Sequence, residues 1–534
     1  MVDALEAGLI AGLLTEPAPG EVRFVHALVR DTLSSDLPRL RRARLHARVA
    51  AALERLHPDE PTALAHHYAR ASSSATAAKA VHYAVRAAEL AERRYAHDAA
   101  VELLRGALDL QERVPAGPGD RDAERLDLFG RLLRAQVRAG AVTAARATRE
   151  RAVELAEGSG RADLLVGAFT AWTEPTPWQA RPYGMVDQRT VATLARLLAR
   201  ADLDPADRCR LLAAMVVELA GEGDPRTGPA ALEAVELARG LGDPALLALA
   251  QFSEAWQASW DLEPGRRARL AAELARAGAE QDLVAYRWCA EHIAGTVAGA
   301  SGDLPALRRH VARGLELARA YRMAEPLTIG LSAEAMLAHV AGRLDEAERR
   351  YGEACAEMVR IGALHAEGFA VLATVTLRVS QGRMAEYAPA APALAARFGP
   401  DAVDVAAVAL AAAGRHAEAR EVLSGAAPLR PDFYHSVFAT LRAMAVVALG
   451  QRAPAEELAA DLAPRRDQLA GAASTSLVMR PVAHTLGELA GLLGRRAAAA
   501  ELFAEAVTVA RAWEAPHWEA EAGTALAAVR AAGR

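Results

Sequence analysis

Along most of the chain the apolar positions recur at intervals of three and four residues, the spacing of one face of an α-helix. The clearest case is "AGRLDEAERRYGEAC", residues 341–355. A turn at Gly342 is followed by Leu344, Ala347, Tyr351 and Ala354, spaced 3, 4 and 3, so all four lie on one helical face. Two of the four are alanine, and a face of small residues lets a second helix approach closely. Related glycine turns followed by amphipathic stretches occur at Gly302, Gly382, Gly414, Gly450 and Gly494. In chain order, with Gly342 included, their separations are 40, 40, 32, 36 and 44 residues.

That register belongs to repeated helical pairs, whose tetratricopeptide form has a period of ~34 and whose wider class reaches the mid-forties. A second marker alternates with the first in "LARGLGDPALLALA" (237–250), "LARAYRMAEPLTIG" (317–330), "VRIGALHAEGFA" (359–370) and "VARAWEAPHWEAEA" (509–522). Each shows a helix ending in a short polar or Gly/Pro break before a new apolar helix, the join between one pair and the next. Residues 93–110 and 138–169 read as more degenerate units, separated by a loop in "VPAGPGDRDAE" (114–124). A single pair cannot bury its apolar face, so neighbours must stack into a body with a concave surface suited to peptides, proteins or small molecules. The expected fold class is all-α, a tetratricopeptide-like helical-pair solenoid. First repeats are expected over 59–115 and the main array over 116–534.

Composition narrows the functional classes. The 534 residues carry 62 basic and 67 acidic side chains, a net charge of −5 that favours neither nucleic acid nor anionic membrane as partner. Cys209, Cys289 and Cys355 have no metal-ligand spacing and read as small buried residues in a reducing compartment, which with the acidic N-terminus (Asp3, Glu6) predicts a cytoplasmic protein. No stretch approaches the ~20 apolar residues of a membrane span. Lys79 is the only lysine and no glycine loop precedes it, so no phosphate cradle is visible. No cofactor, metal or enzymatic activity is expected. His66 and His67 are adjacent and diverge on a helix, which makes them a poor metal pair.

The N-terminal end carries a more specific pattern. In "RFVHALVRDTL" (23–33), Phe24, His26, Leu28, Val29, Arg30 and Asp31 fit F-x-H-x-L-V-R-[DE]. Arg41, Arg42, Leu45, His46, Val49, Ala50, Leu53 and Glu54 fit R-R-x-x-L-H-x-x-[VI]-A-x-A-L-E, and "HHY" at 66–68 follows. These motifs resemble the end of the nucleotide-switch module in STAND-type signalling ATPases, the class that includes the large LuxR-type and antibiotic-type transcriptional regulators. The resemblance implies a partial winged-helix or connector segment over 1–58 leading into the repeats. It also implies inter-domain contact roles for Phe24, His26, Arg30, Arg42 and His46. The family's ATPase core and DNA-binding domain are both expected to be missing from this sequence. Locally, His26 is expected to cap or pack at a strand-to-helix join, with Arg30 and Asp31 directed to different sides of a helix.

Aromatic residues gather in 168–184, 251–260 and 285–292. Trp172, Trp256, Trp260 and Trp288 have two readings: core between repeats, or anchors along a partner or effector groove. The arginine runs at 38–48 and 264–276 read as solvated helix faces. The expected function is a non-enzymatic sensor or interaction protein that binds a protein, such as an ATPase or DNA-binding regulator, or a small effector to modulate transcription. The alternative is a scaffold with no role in transcription.

Overall fold

The structure, a computed structural model, describes residues 2–18, 21–71, 73–115, 120–178, 181 and 183–532. Residues 116–119 of the expected loop, and 179, 180 and 182 of the aromatic stretch, lie outside the described residues. Among the described residues there are 27 α-helices and one two-stranded sheet. No described helix is long and apolar enough to cross a membrane. The chain divides into two compact units, Met1–Ala135 and Gln136–Arg534, so the expected borders at 58 and 115 fall inside the first.

In the first unit a helix, Val2–Ile10, leads into an antiparallel hairpin of Leu14–Ala18 and Glu21–Phe24, with Leu14 opposite Phe24 and an irregularity between Thr15 and Ala18. Helices Ala27–Ser35, Arg39–Leu56, Pro61–Ala71, Ser74–Arg93 and His97–Gln111 follow. Leu64, Ala80, Ala84, Ala87, Ala100 and Leu104 form its buried interior, mostly alanine, so the helices pack at short range.

The second unit is the helical-pair array. All six marker glycines sit in turns inside pairs with left-handed backbone, φ between 67° at Gly382 and 80° at Gly494, a conformation open to glycine at little cost. The second marker falls on the joins between pairs, at Gly242 and Gly362 and, unusually, at Arg322 (φ 53°) and Glu514 (φ 54°). Local chemistry punctuates the same places. In "GDP" (242–244) the glycine ends one helix, Asp243 accepts from Ala245 and Leu246 amides at 2.9 and 3.1 Å, and Pro244 opens the next.

Burial separates two rows of helices. Helix Ala324–Val340 has twelve buried residues in 17, whereas its pair mate Leu344–Arg360 has four, Ala347, Tyr351, Ala354 and Met358, on one face. The expected stripe is therefore present, with Leu344 partly buried at its start. The first helix of a pair is packed nearly all round, and the second shields it from water.

What packs the inner row is the chain itself. Residues 463–481, between helices Arg452–Leu462 and Val482–Leu492, form no α-helix, and every residue from Gln468 to Arg480 is buried. Buried irregular backbone needs partners for its polar groups, and it finds them. Gly471 donates to Ser436 Oγ at 2.9 Å, and Tyr351 donates to the Ser476 carbonyl at 3.1 Å. Arg465 pairs with Asp261 at 2.6 Å, both side chains buried, and Gln468 donates to the Asp261 carbonyl at 2.8 Å. This insertion explains why the last glycine spacing is the longest, whereas the shortest spans a 3-10 turn, Met384–Ala390, and the short helix Ala391–Phe398.

Candidate functional site

Of the two readings of the tryptophans, core between repeats or groove anchors, three of the four residues take the first. Trp256, Trp260 and Trp288 are buried. Trp256 meets Trp260 edge-on at 5.0 Å, and His292 links Trp260 to Trp288, on which it stacks at 5.1 Å. Ala473 of the buried segment belongs to the same cluster, so the face these rings would have offered is covered by 463–481. A cavity of about 20 Å³ beside Trp288 has room for little more than a water. Trp172, partly buried, donates to Thr176 Oγ1 at 3.1 Å, with the Arg149 guanidinium 5.3 Å from its ring. The arginine run at 264–276 needs a correction at Arg267. That side chain is fully buried 4.0 Å over the Trp260 ring and donates to Thr296 and to carbonyls of Ala255 and Ala258. Burial lowers its pKa to about 9, and cation–π contact plus carbonyl acceptors replace the water it loses.

An open site lies elsewhere in the second unit. After helix Ala162–Thr170 the chain crosses the inner row in a proline-rich loop. Tyr286 donates to the Thr173 carbonyl at 3.0 Å, and the Trp178 backbone hydrogen-bonds buried Glu325, whose pKa burial raises to about 8. Trp178 is thereby held edge-on to His365 at 4.6 Å, and Tyr183 stacks on Phe438 at 6.0 Å. Between this loop and helices Ala366–Ser380, Ala391–Phe398 and His435–Leu449 lies a cleft of about 410 Å³. Trp178, Tyr183, Phe369, Phe398, Phe433 and Phe438 give it aromatic walls. His365 Nε2 is shielded from water without a hydrogen-bond partner, and burial lowers the ring pKa to about 4. Among the described lining residues Arg397 is the one that carries a charge, and it is paired with Glu367. Sequence reasoning passed over Trp178; the signal was the aromatic after two prolines in "EPTPW", but nothing in the sequence ties it to His365, 187 positions on.

In the first unit Phe24, His26 and Arg30 of the expected contact residues are exposed, and Arg42 and His46 are partly buried. Phe24 and His26 are exposed, and His26 occupies the N-cap position of helix Ala27–Ser35 without a side-chain capping bond, so the expected capping role is not present. Arg30 and Asp31 do not diverge: Arg30 Nε donates to Asp31 Oδ1 at 2.9 Å, an exposed pair. Arg42 donates to the Ser34 carbonyl at 3.1 Å, joining two helices. His46 meets His67 nitrogen to nitrogen at 2.9 Å, with His66 nearby, and all three pKa values are lowered, first by burial and then by neighbouring charges such as Arg70. No group of three or more histidine, cysteine, aspartate or glutamate side chains among the described residues is arranged to hold a metal ion. In the same N-terminal stretch Leu28 and Leu40 are 79% and 78% exposed, with Ile10, Leu33 and Leu56 also open. Arg39, Arg42, Arg44 and Arg70 line a hollow with no acidic residue among the described residues of its wall. Lys79 binds Glu54 at 2.6 Å, and Tyr68 and Tyr83 donate to the same carboxylate at 2.5 and 3.0 Å. Its role there is to tie helices Arg39–Leu56 and Ser74–Arg93 together.

These features define the class: an all-α, tetratricopeptide-like helical-pair repeat protein whose inner face is filled by its own chain. No family model matches the chain, and no curated protein is similar to it. Among solved structures it is similar to a STAND protein with a tetratricopeptide repeat sensor, PH0952 from Pyrococcus horikoshii. The identity is 14% over 69% of this chain, with a TM-score of 0.31, and the match spans 57% of that protein's length. It is also similar to the APC/C hetero-tetramer Cut9–Hcn1, at 12% identity over 94% of each chain and a TM-score of 0.38. For yeast Tom70 the values are 11% identity, 92% of this chain, 96% of that one and a TM-score of 0.24. At such scores these likenesses carry no argument about function, and the class rests on the helix pairs themselves.

Proposed function

We propose that this is a non-enzymatic, cytoplasmic sensor or interaction protein, related to bacterial ATPase-type transcriptional regulators, that binds a partner through residues 1–58 and an effector through its repeats. The partner is an ATPase or DNA-binding regulator, and the segment 1–58 acts as the connector. The observation that carries this reading is the exposure of Leu28, Leu33 and Leu40 within one short stretch, with Leu40 in the wall of a hollow whose charged described residues are Arg39, Arg42, Arg44 and Arg70. Apolar side chains this exposed, grouped on one short segment, mark a protein interaction site, and five arginines with no acid between residues 39 and 48 favour a partner with an acidic surround.

The test is capture of the tagged full chain from its host beside a Leu28→Asp/Leu40→Asp variant. Both positions are exposed, so the variant should fold unchanged. An ATPase or helix-turn-helix protein retained by the parent and lost from the variant supports the proposal. A partner set that is the same for both chains, or consists only of metabolic enzymes, overturns it in favour of a scaffold.

A further inference from the structure

The aromatic cleft has a chemistry narrow enough to name its occupant. We infer that it binds a small, uncharged aromatic molecule carrying one hydrogen-bonding group, of the size and polarity of a substituted naphthol. The inference rests on reading the repeats as an effector-binding arm.

Four observations carry it. The volume of about 410 Å³ lies within the roughly 300–1,000 Å³ of small-molecule sites, too little for a folded partner. The walls are rings set at varied angles: Tyr183 lies within 7 Å of Phe433, Tyr434 and Phe438, and Trp178 of His365 and Phe369, with centroid distances of 4.6 to 6.4 Å. Such walls favour a flat aromatic guest, which meets faces and edges at once. Charge excludes the alternatives. No carboxylate is among the described lining side chains to receive a cation, and Arg397 is already committed to Glu367, so a charged guest would lose its hydration without compensation. Finally, His365 supplies a shielded ring nitrogen with no partner. An unpaired buried polar atom costs stability, and a turn of the His365 ring toward the cleft would let a guest hydroxyl satisfy it.

Gly368 provides a clean block. A β-carbon there meets only Phe398 Cε1, at 3.7 Å, an ordinary contact, and leucine is a better helix former than glycine, so Gly368→Leu fills the cleft without unfolding the helix. Gly352 lies on an exposed helix face with nothing near its β position, and Gly352→Leu is the matched control.

The experiment titrates the full chain with 2-naphthol and with naphthalene, reading probe fluorescence. One saturable site is expected, with at least a tenfold loss of affinity in Gly368→Leu and none in Gly352→Leu. The hydroxyl should give 2-naphthol an advantage of about three- to tenfold over naphthalene, abolished in His365→Phe. Absence of saturable binding, or equal binding by the two glycine variants, overturns the inference, and so does a charged analogue, 2-naphthoate, binding more tightly than 2-naphthol. Because no partner enters this measurement, its failure is distinguishable from failure of the capture experiment.

Discussion

Replacing Gly299 by alanine sets two effects of opposite sign against each other. Gly299 lies in the last turn of helix Val284–Ala300, and alanine in a helix interior is favoured over glycine by about 1 kcal/mol. A β-carbon at this position would, however, stand 2.3 Å from the Ala472 carbonyl oxygen and 2.9 Å from its carbon. Those are backbone atoms of the buried segment, and they cannot swing aside as a side chain would. The same carbonyl accepts from the Thr475 amide at 3.1 Å, so moving it loosens the turn it belongs to. Overpacking by one methyl costs about 1–3 kcal/mol, and a rigid backbone opponent places this case at the upper end, leaving a net loss of about 2 kcal/mol. Gly352→Ala, on an exposed helix face with nothing near its β position, keeps the propensity gain alone and should stabilise by up to about 1 kcal/mol. Urea unfolding followed by circular dichroism, with parent and both variants side by side, measures the difference. If Gly299→Ala is as stable as the parent or more so, residues 463–481 do not occupy the inner face of the repeats, and the account of the covered tryptophans fails with them.

Three further outcomes follow from the same packing. Asp261→Ala or Arg465→Ala leaves one buried charge unpaired and should cost about 3–5 kcal/mol, with the double variant costing less than the two losses together; urea midpoints of the four chains check this. Glu325 holds its proton up to about 8 when folded against an ordinary 4.5. Its folded pKa is raised, so its stabilisation is complete below pH 4.5 and is lost as pH rises toward 8. Glu325→Gln should therefore be more stable relative to the parent at pH 8 than at pH 5, and an equal difference at both refutes the assignment. Arg322 adopts left-handed backbone, φ 53°, so Arg322→Gly should stabilise by up to about 1 kcal/mol, read as a raised thermal midpoint.

The repeat architecture was legible because each pair writes its own punctuation. A glycine such as Gly342 can adopt the left-handed turn, an aspartate such as Asp243 caps the next helix, and the stripe Ala347, Tyr351, Ala354 reveals which face is buried. These are local signals within about twenty residues, and local signals survive in sequence. Arg322 and Glu514 show the limit of that reading, since they turn the chain where glycine would be expected and were found only by the apolar pattern on either side. The arginine run containing Arg267 shows another limit. Whether an arginine is solvated or lies under Trp260 depends on what stacks from the next pair.

The site residues were harder to reach for a reason specific to solenoids. Exposure of an inner face depends on whether any other part of the chain enters it, and no periodicity reports that. "LAGAASTSLVMRP" (469–481) has small and apolar residues and one charge, and in retrospect that composition suits a segment that must pass between packed helices. Once it is there, Trp256, Trp260 and Trp288 serve packing, and Tyr351 and Ser436 spend their polar groups holding the segment in place. Open surface is left where this packing ends: at the aromatic cleft bounded by Trp178 and Phe433, and at the exposed leucines and arginines of the first unit. Phe433 touches both worlds, meeting core Trp260 at 5.4 Å while lining the cleft. The wall of the cleft is thus continuous, through this one ring, with the aromatic cluster that the buried segment completes.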